Sequence, residues 1–124
     1  ERVDEEWGRA LDPQRLLDAQ RRLPHARLVA VVHAETSTGA RTDLEALGAG
    51  KGDALLLVDC VTSLGGEEVS PNEWGIDYGY SCSQKSLGCP AGLSPFNSTN
   101  LNESFVMKES MRERAESVGG RACR

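Results

Sequence analysis

Asp59 ends the apolar run Leu55-Leu56-Leu57-Val58, and Lys85 closes the stretch Tyr80-Ser81-Cys82-Ser83-Gln84-Lys85. A carboxylate at the end of a buried strand needs a partner, because burying an isolated charge costs several kcal/mol. A protonated pyridine nitrogen is one suitable partner, and a lysine amine condenses with an aldehyde to form a Schiff base. An acid and an amine at opposite edges of one flat ring are what pyridoxal 5′-phosphate chemistry requires. Each residue also has a plainer reading. Lys85 alone is a solvated surface lysine, and Asp59 alone is a cap or turn residue.

The elements that must position this pair read as an alternating α/β pattern. Asp12 followed by Pro13 supplies an N-cap and a first helical residue, and Leu16, Leu17, Ala19 and Leu23 form an apolar side up to the stop at Pro24. The continuous run Leu28-Val29-Ala30-Val31-Val32 predicts a strand covered on both faces, as in a parallel sheet. Thr42-Asp43-Leu44-Glu45 matches a capping box and opens a short helical segment ended by Gly48 and Gly50. A second strand follows over Ala54 to Val58, which completes a βαβ unit whose crossover should be right-handed.

Ligands of such sheets bind beyond the carboxyl ends of the strands. The segment His33 to Gly39 and Asp59 both emerge there, so the two should converge. Ile76 to Ser81 predicts a third strand of open direction, with Lys85 on the loop after it. In the tail, Met107, Met111, Ala115 and Val118 recur at helical spacing behind a candidate N-cap at Asn102, which predicts a helix at about 103–118.

Four segments carry a resemblance: His33-Ala34-Glu35-Thr36-Ser37-Thr38-Gly39, Val58-Asp59-Cys60-Val61-Thr62-Ser63-Leu64-Gly65-Gly66, Trp74-Gly75-Ile76-Asp77, and Ser83-Gln84-Lys85-Ser86-Leu87-Gly88. In this order and spacing they resemble the alanine-glyoxylate and serine-pyruvate aminotransferases, fold-type I enzymes of aminotransferase class V, over roughly residues 7 to 96. The resemblance implies an α/β fold, part of the cofactor-binding large domain, with a mostly parallel sheet and βαβ crossovers. It implies pyridoxal 5′-phosphate as cofactor, and alanine or serine with glyoxylate or another 2-oxo acid as substrates. Lys85 would form the Schiff base and shuttle a proton between the substrate α-carbon and the cofactor C4′ carbon. Asp59 would keep the pyridine nitrogen protonated. Thr36 matches the position bonding the phenolic oxygen, Val61 the one packing on the ring face, and Gln84 one on the phosphate side. Ser83 is either a phosphate contact or a hydroxyl that ends a strand.

His33 and Glu35 lie inside a matching segment without an assignable chemical step. Cys82 stands where the family usually has glycine, and Ala91 where a second proline is common. Cysteine desulfurases usually carry His before the lysine, and 2-aminoethylphosphonate transaminases Asn, whereas this chain has Gln84. Phosphoserine aminotransferases share the Gln-Lys pair but not the segment around Asp59. Members of the family are homodimers about three times longer than these 124 residues. The chain therefore reads as a fragment, with residues 1–96 from the large domain and 97–124 a tail of unclear origin. It lacks the family's glycine-rich phosphate turn, its stacking aromatic and its substrate arginine. The alternatives are a non-catalytic remnant without cofactor affinity, or another class V enzyme such as a phosphonate transaminase.

Composition narrows the partners. A net charge of −5 with no run of Lys or Arg argues against nucleic acid or an acidic membrane surface. The longest apolar runs are far below the ~20 residues of a membrane span, and the acidic start Glu1-Arg2-Val3-Asp4-Glu5-Glu6 is unlike a signal peptide. These features predict a soluble, non-secreted protein, cytoplasmic or organellar, with peroxisome or mitochondrion open for a longer parent. The terminal Ala122-Cys123-Arg124 is not a peroxisomal signal. Cys60, Cys82, Cys89 and Cys123 form no Cys-x-x-Cys pair and predict free thiols and no metal site. The sequons at Asn97 and Asn102 read as accidental.

Overall fold

A computed structural model of the chain describes residues 1–98 and the backbone of 103–107. Helix α1 (Pro13–Arg22) begins where the sequence places it: the Asp12 side chain accepts from the Gln14 N–H at 2.9 Å, and Pro13 needs no partner for the N–H it lacks. Strand β1 spans Leu28–Val32. Helix α2 (Leu44–Gly50) departs from the capping-box reading, because Asp43 is the N-cap and accepts from the Ala46 N–H at 3.1 Å. Thr42 is buried instead.

The helix ends at Gly50, as expected, but runs through Gly48. A Cβ there would lie 1.8 Å from the Trp74 carbonyl oxygen, so glycine lets the helix press against the 70–75 loop. Tertiary contact, not turn chemistry, explains that residue.

Strands β2 (Leu55–Asp59), β3 (Tyr78–Tyr80), β4 (Pro95–Ser98) and β5 (Glu103–Met107) complete a five-stranded sheet in the order β1-β2-β3-β4-β5. β1, β2 and β3 are mutually parallel, which settles the direction of the third strand, and β4 and β5 add antiparallel pairings. The helix expected from residue 103 is corrected for residues 103–107, which pair with β4 as a strand. Sheet-edge pairing overrides the helical spacing there, and the remainder of that expected helix lies outside the described residues.

The core lies between the helices and one face of the sheet: Leu17, Leu44 and Leu47 pack on Val29, Leu56, Val58, Cys60 and Ile76. Full burial of a leucine or valine side chain contributes roughly 1.5–3 kcal/mol. The other face is bare within the described residues, so the expectation of strands covered on both sides is corrected. Leu28 is 52% exposed beside Leu55, and Val32 shares a row with Asp59, Tyr80 and Phe96. The apolar run is real, but neither α1 nor α2 reaches that face.

Lys51 and Asp77 fasten the two strand starts, with Nζ to Oδ2 at 2.6 Å, and the same Oδ2 accepts from the Leu56 N–H at 2.8 Å. Cys60 and Cys82 are free thiols, and burial pushes the Cys60 thiol up to about 12. The free-thiol expectation is corrected at Cys89, which is disulfide-bonded; local spacing excludes a metal knuckle but does not test a partner distant in sequence. Asn97 is buried, which leaves no room for a glycan in this fold. Among the described residues no helix is long and apolar enough to cross a membrane.

Candidate functional site

The site forms where the parallel strands end. β1 runs into the turn 33–41, β2 into the loop after Asp59, and β3 into the loop that carries Lys85. The first two are joined through backbone and side chains. The His33 N–H donates to the Asp59 carbonyl at 2.9 Å, and the hydroxyls of Thr36 and Thr62 share a short hydrogen bond. The predicted convergence of the His33–Gly39 segment with Asp59 is thus met.

Asp59 sits on the last residue of β2 with both carboxylate oxygens engaged. Oδ1 accepts from the Val61 N–H at 2.8 Å, and Oδ2 from the Tyr80 hydroxyl at 2.8 Å. The local Asp59-to-Val61 bond is the turn role that the sequence left open, and it coexists with the bond from Tyr80 across the strands. Tyr80 was not a sequence candidate. Its signal lay in the register: parallel pairing sets Asp59 opposite Tyr80 on one face.

Lys85 and Gln84 are exposed on the loop after β3, and among the described residues the Lys85 ammonium has no carboxylate partner. This loop is docked onto the loop after β2. The Ser86 hydroxyl donates to the Thr62 carbonyl at 2.6 Å, and a Cβ on Gly66 would come within 2.8 Å of the Ser86 hydroxyl oxygen. Gly65, at φ +91°, leaves a comparable space for Leu87. The glycine pair thus permits the close approach that brings the lysine loop beside Asp59.

Ser83 faces inward. It is buried, its hydroxyl donates to the Pro90 carbonyl, and it accepts from the Leu93 N–H at 3.3 Å. It holds the base of the loop. Val61 is half-buried two residues after Asp59, in the loop that follows β2.

Two titratable groups of the first segment have structural surroundings. Ser37 donates its backbone N–H and its hydroxyl to Glu35, at 3.0 and 2.8 Å, which holds the Glu35 carboxyl below its ordinary value. His33 is buried edge-on to Trp74, with ring centroids 5.7 Å apart, and its Nδ1 has no hydrogen-bond partner among the described residues. Burial lowers its pKa, and nearby Arg41 adds to that effect. Among the described residues no group of three or more His, Cys, Asp or Glu could hold a metal ion.

An acid, a hydroxyl pair and an amine with no carboxylate partner among the described residues therefore share one end of a parallel sheet. Residues 4–98 match the family described as aminotransferase class-V. The chain belongs to that family. Among curated relatives, this class V chain is 44% identical over 100 residues to a protein of Synechococcus sp. named soluble hydrogenase, small subunit, covering 76% of the chain and 26% of that protein. It is 40% identical over 96 residues to the serine–glyoxylate aminotransferase of Hyphomicrobium methylovorum, covering 73% of the chain and 24% of the relative. Among solved structures, alanine–glyoxylate aminotransferase from Nostoc sp. aligns with a TM-score of 0.70 at 40% identity, covering 92% of the chain and 28% of that protein. The class V chain thus spans about a quarter of the length of these relatives.

Proposed function

We propose that the chain is the lysine- and aspartate-bearing part of a pyridoxal 5′-phosphate-dependent aminotransferase that moves an amino group from alanine or serine to glyoxylate or another 2-oxo acid. The observation that carries this reading is the placement of Asp59 and Lys85. They leave neighbouring parallel strands at the same end of the sheet, on loops docked to each other through Ser86 and Thr62. The residue types suit the group: a carboxylate held by two donors at one side, an amine at the other, and threonine hydroxyls beside them.

When bound, pyridoxal 5′-phosphate supplies an electron sink for the charge left as the substrate α-proton departs. Asp59 would meet the pyridine nitrogen and favour positive charge there. Thr36 would donate toward the phenolic oxygen, Val61 would pack on a ring face, and Gln84 would lie on the phosphate side. Lys85 would hold the aldehyde carbon until the substrate amine displaced it, and the freed Lys85 amine would then take and return the α-proton. Ser83 contributes by keeping the Gln84-Lys85 turn in place.

The serine–glyoxylate and alanine–glyoxylate names of two relatives support the substrate choice. The reading includes a longer homodimeric parent in the cytoplasm or an organelle, with amino acid and 2-oxo acid as its small-molecule partners and neither nucleic acid nor membrane among them. Residues 1–96 belong to its large domain, and the 124-residue chain by itself has no turnover. The bare apolar sheet face is the observation that favours the second reading, a remnant without cofactor affinity. Titration with pyridoxal 5′-phosphate separates the two: binding lost in Lys85→Ala supports the first, and no binding by the unaltered chain supports the second.

A further inference from the structure

We infer that Tyr80 is a positioning residue for Asp59: its hydroxyl, donating to Oδ2 while the Val61 N–H holds Oδ1, locks the carboxylate in the orientation in which a ring nitrogen must meet it. The inference rests on the functional reading above and deepens it. A carboxylate offers about four lone-pair directions. One donor on each oxygen, both at 2.8 Å, leaves one free direction per oxygen and restrains rotation of the group about its bond to Cβ. Restraint before binding matters because a misaligned acceptor must otherwise be ordered when the ligand arrives.

The backbone that carries the phenol is itself held. The Tyr80 carbonyl accepts from the Cys60 N–H at 2.8 Å, and the Ser81 hydroxyl donates to the Cys60 carbonyl at 3.1 Å. On the other side, the Ser81 N–H donates to the Pro95 carbonyl at 2.9 Å. The Tyr80 backbone is therefore fixed between β2 and β4, while the residue stays 40% exposed. The hydrogen bond to Asp59, with burial and the carboxylate charge adding to it, raises the phenol's pKa, so the group keeps its proton and stays a donor at neutral pH.

The first test needs no cofactor. Tyr78→Phe leaves Tyr80 as the single tyrosine, because the sequence has two. Its ionisation, followed by tyrosinate absorbance, is expected above the ordinary phenol value, and Asp59→Asn should bring it down. An ionisation indifferent to Asp59→Asn overturns the pairing. The second test compares binding of pyridoxal 5′-phosphate by the chain and by Tyr80→Phe, which removes only the oxygen. Because the bond is already present in the free chain, its loss should lower the melting temperature somewhat and, by freeing the carboxylate, weaken binding by about tenfold at a temperature where both chains are folded. Equal binding overturns the positioning role even where the titration shows the pairing. No binding by the unaltered chain overturns the functional reading and the positioning role with it, while the pairing is still decided by the titration.

Discussion

Removing the Asp77 carboxylate should be among the most damaging single changes outside the apolar core. One oxygen, Oδ2, serves both the Lys51 ammonium at 2.6 Å and the Leu56 N–H at 2.8 Å, and the two charged side chains are only 13% and 19% exposed. Asp77→Ala strands a largely buried cation, whose remaining bond is to the Ala54 carbonyl at 2.9 Å, and leaves a strand N–H without an acceptor. Breaking a buried pair from one side costs about 3–5 kcal/mol, and an unsatisfied N–H about 1–3 kcal/mol. The terms overlap and the pair is not fully dry, so about 3 kcal/mol is expected. Asp77→Asn keeps an acceptor for Leu56 and loses only the charge, so about half that loss is expected. With a urea slope of about 1.5 kcal/mol per molar, the alanine variant should unfold about 2 M earlier. Urea unfolding of both variants, with Lys51→Met to close a double-mutant cycle, reads these values. Equal losses below about 1 kcal/mol for Ala and Asn, with no coupling to Lys51, would mean that the pair behaves as an exposed one and that the reasoning fails.

Two further outcomes follow from the same packing. Gly48→Ala should destabilise although alanine is the better helix former by about 1 kcal/mol, because its Cβ meets the Trp74 backbone carbonyl at 1.8 Å; a higher melting temperature for the variant would refute the close approach. Burial lowers the His33 pKa below its ordinary 6.5, so the unfolded chain takes up a proton that the folded chain resists. The stability this contributes is fully present above about pH 6.5 and is lost as pH falls toward the folded value, by up to about 1.4 kcal/mol per pH unit. His33→Phe should flatten that slope, and an unchanged slope between pH 6.5 and 5.5 would contradict it.

The elements with purely local causes were legible in the sequence. Asp12-Pro13 starts α1, and the β-rich runs mark β1 and β2 to within a residue at each end. What was misread depends on partners distant in the chain. Gly48 looked like a stop because its close packing against Trp74 is invisible locally, and Met107 looked helical because β4 supplies a pairing edge. The runs of β1 and β2 look buried on both faces, but among the described residues only one face is covered. At the site, Asp59 and Lys85 stood out because their types carry chemistry, and Thr36 stood out only through the resemblance. Tyr80 did not, since its role depends on the β2–β3 register, and Ser83 could be settled between loop anchor and surface hydroxyl only by its bonds to Pro90 and Leu93.

The central claim is that Lys85 is the amine that reacts with the cofactor aldehyde. Incubation of the chain with pyridoxal 5′-phosphate, borohydride reduction and peptide mapping test it directly. The account predicts one stoichiometric phosphopyridoxyl group on Lys85, absent in Lys85→Ala and weakened in Asp59→Asn. Labelling spread over Lys51 and the N-terminus, or labelling of Lys85 indifferent to Asp59→Asn, would contradict it.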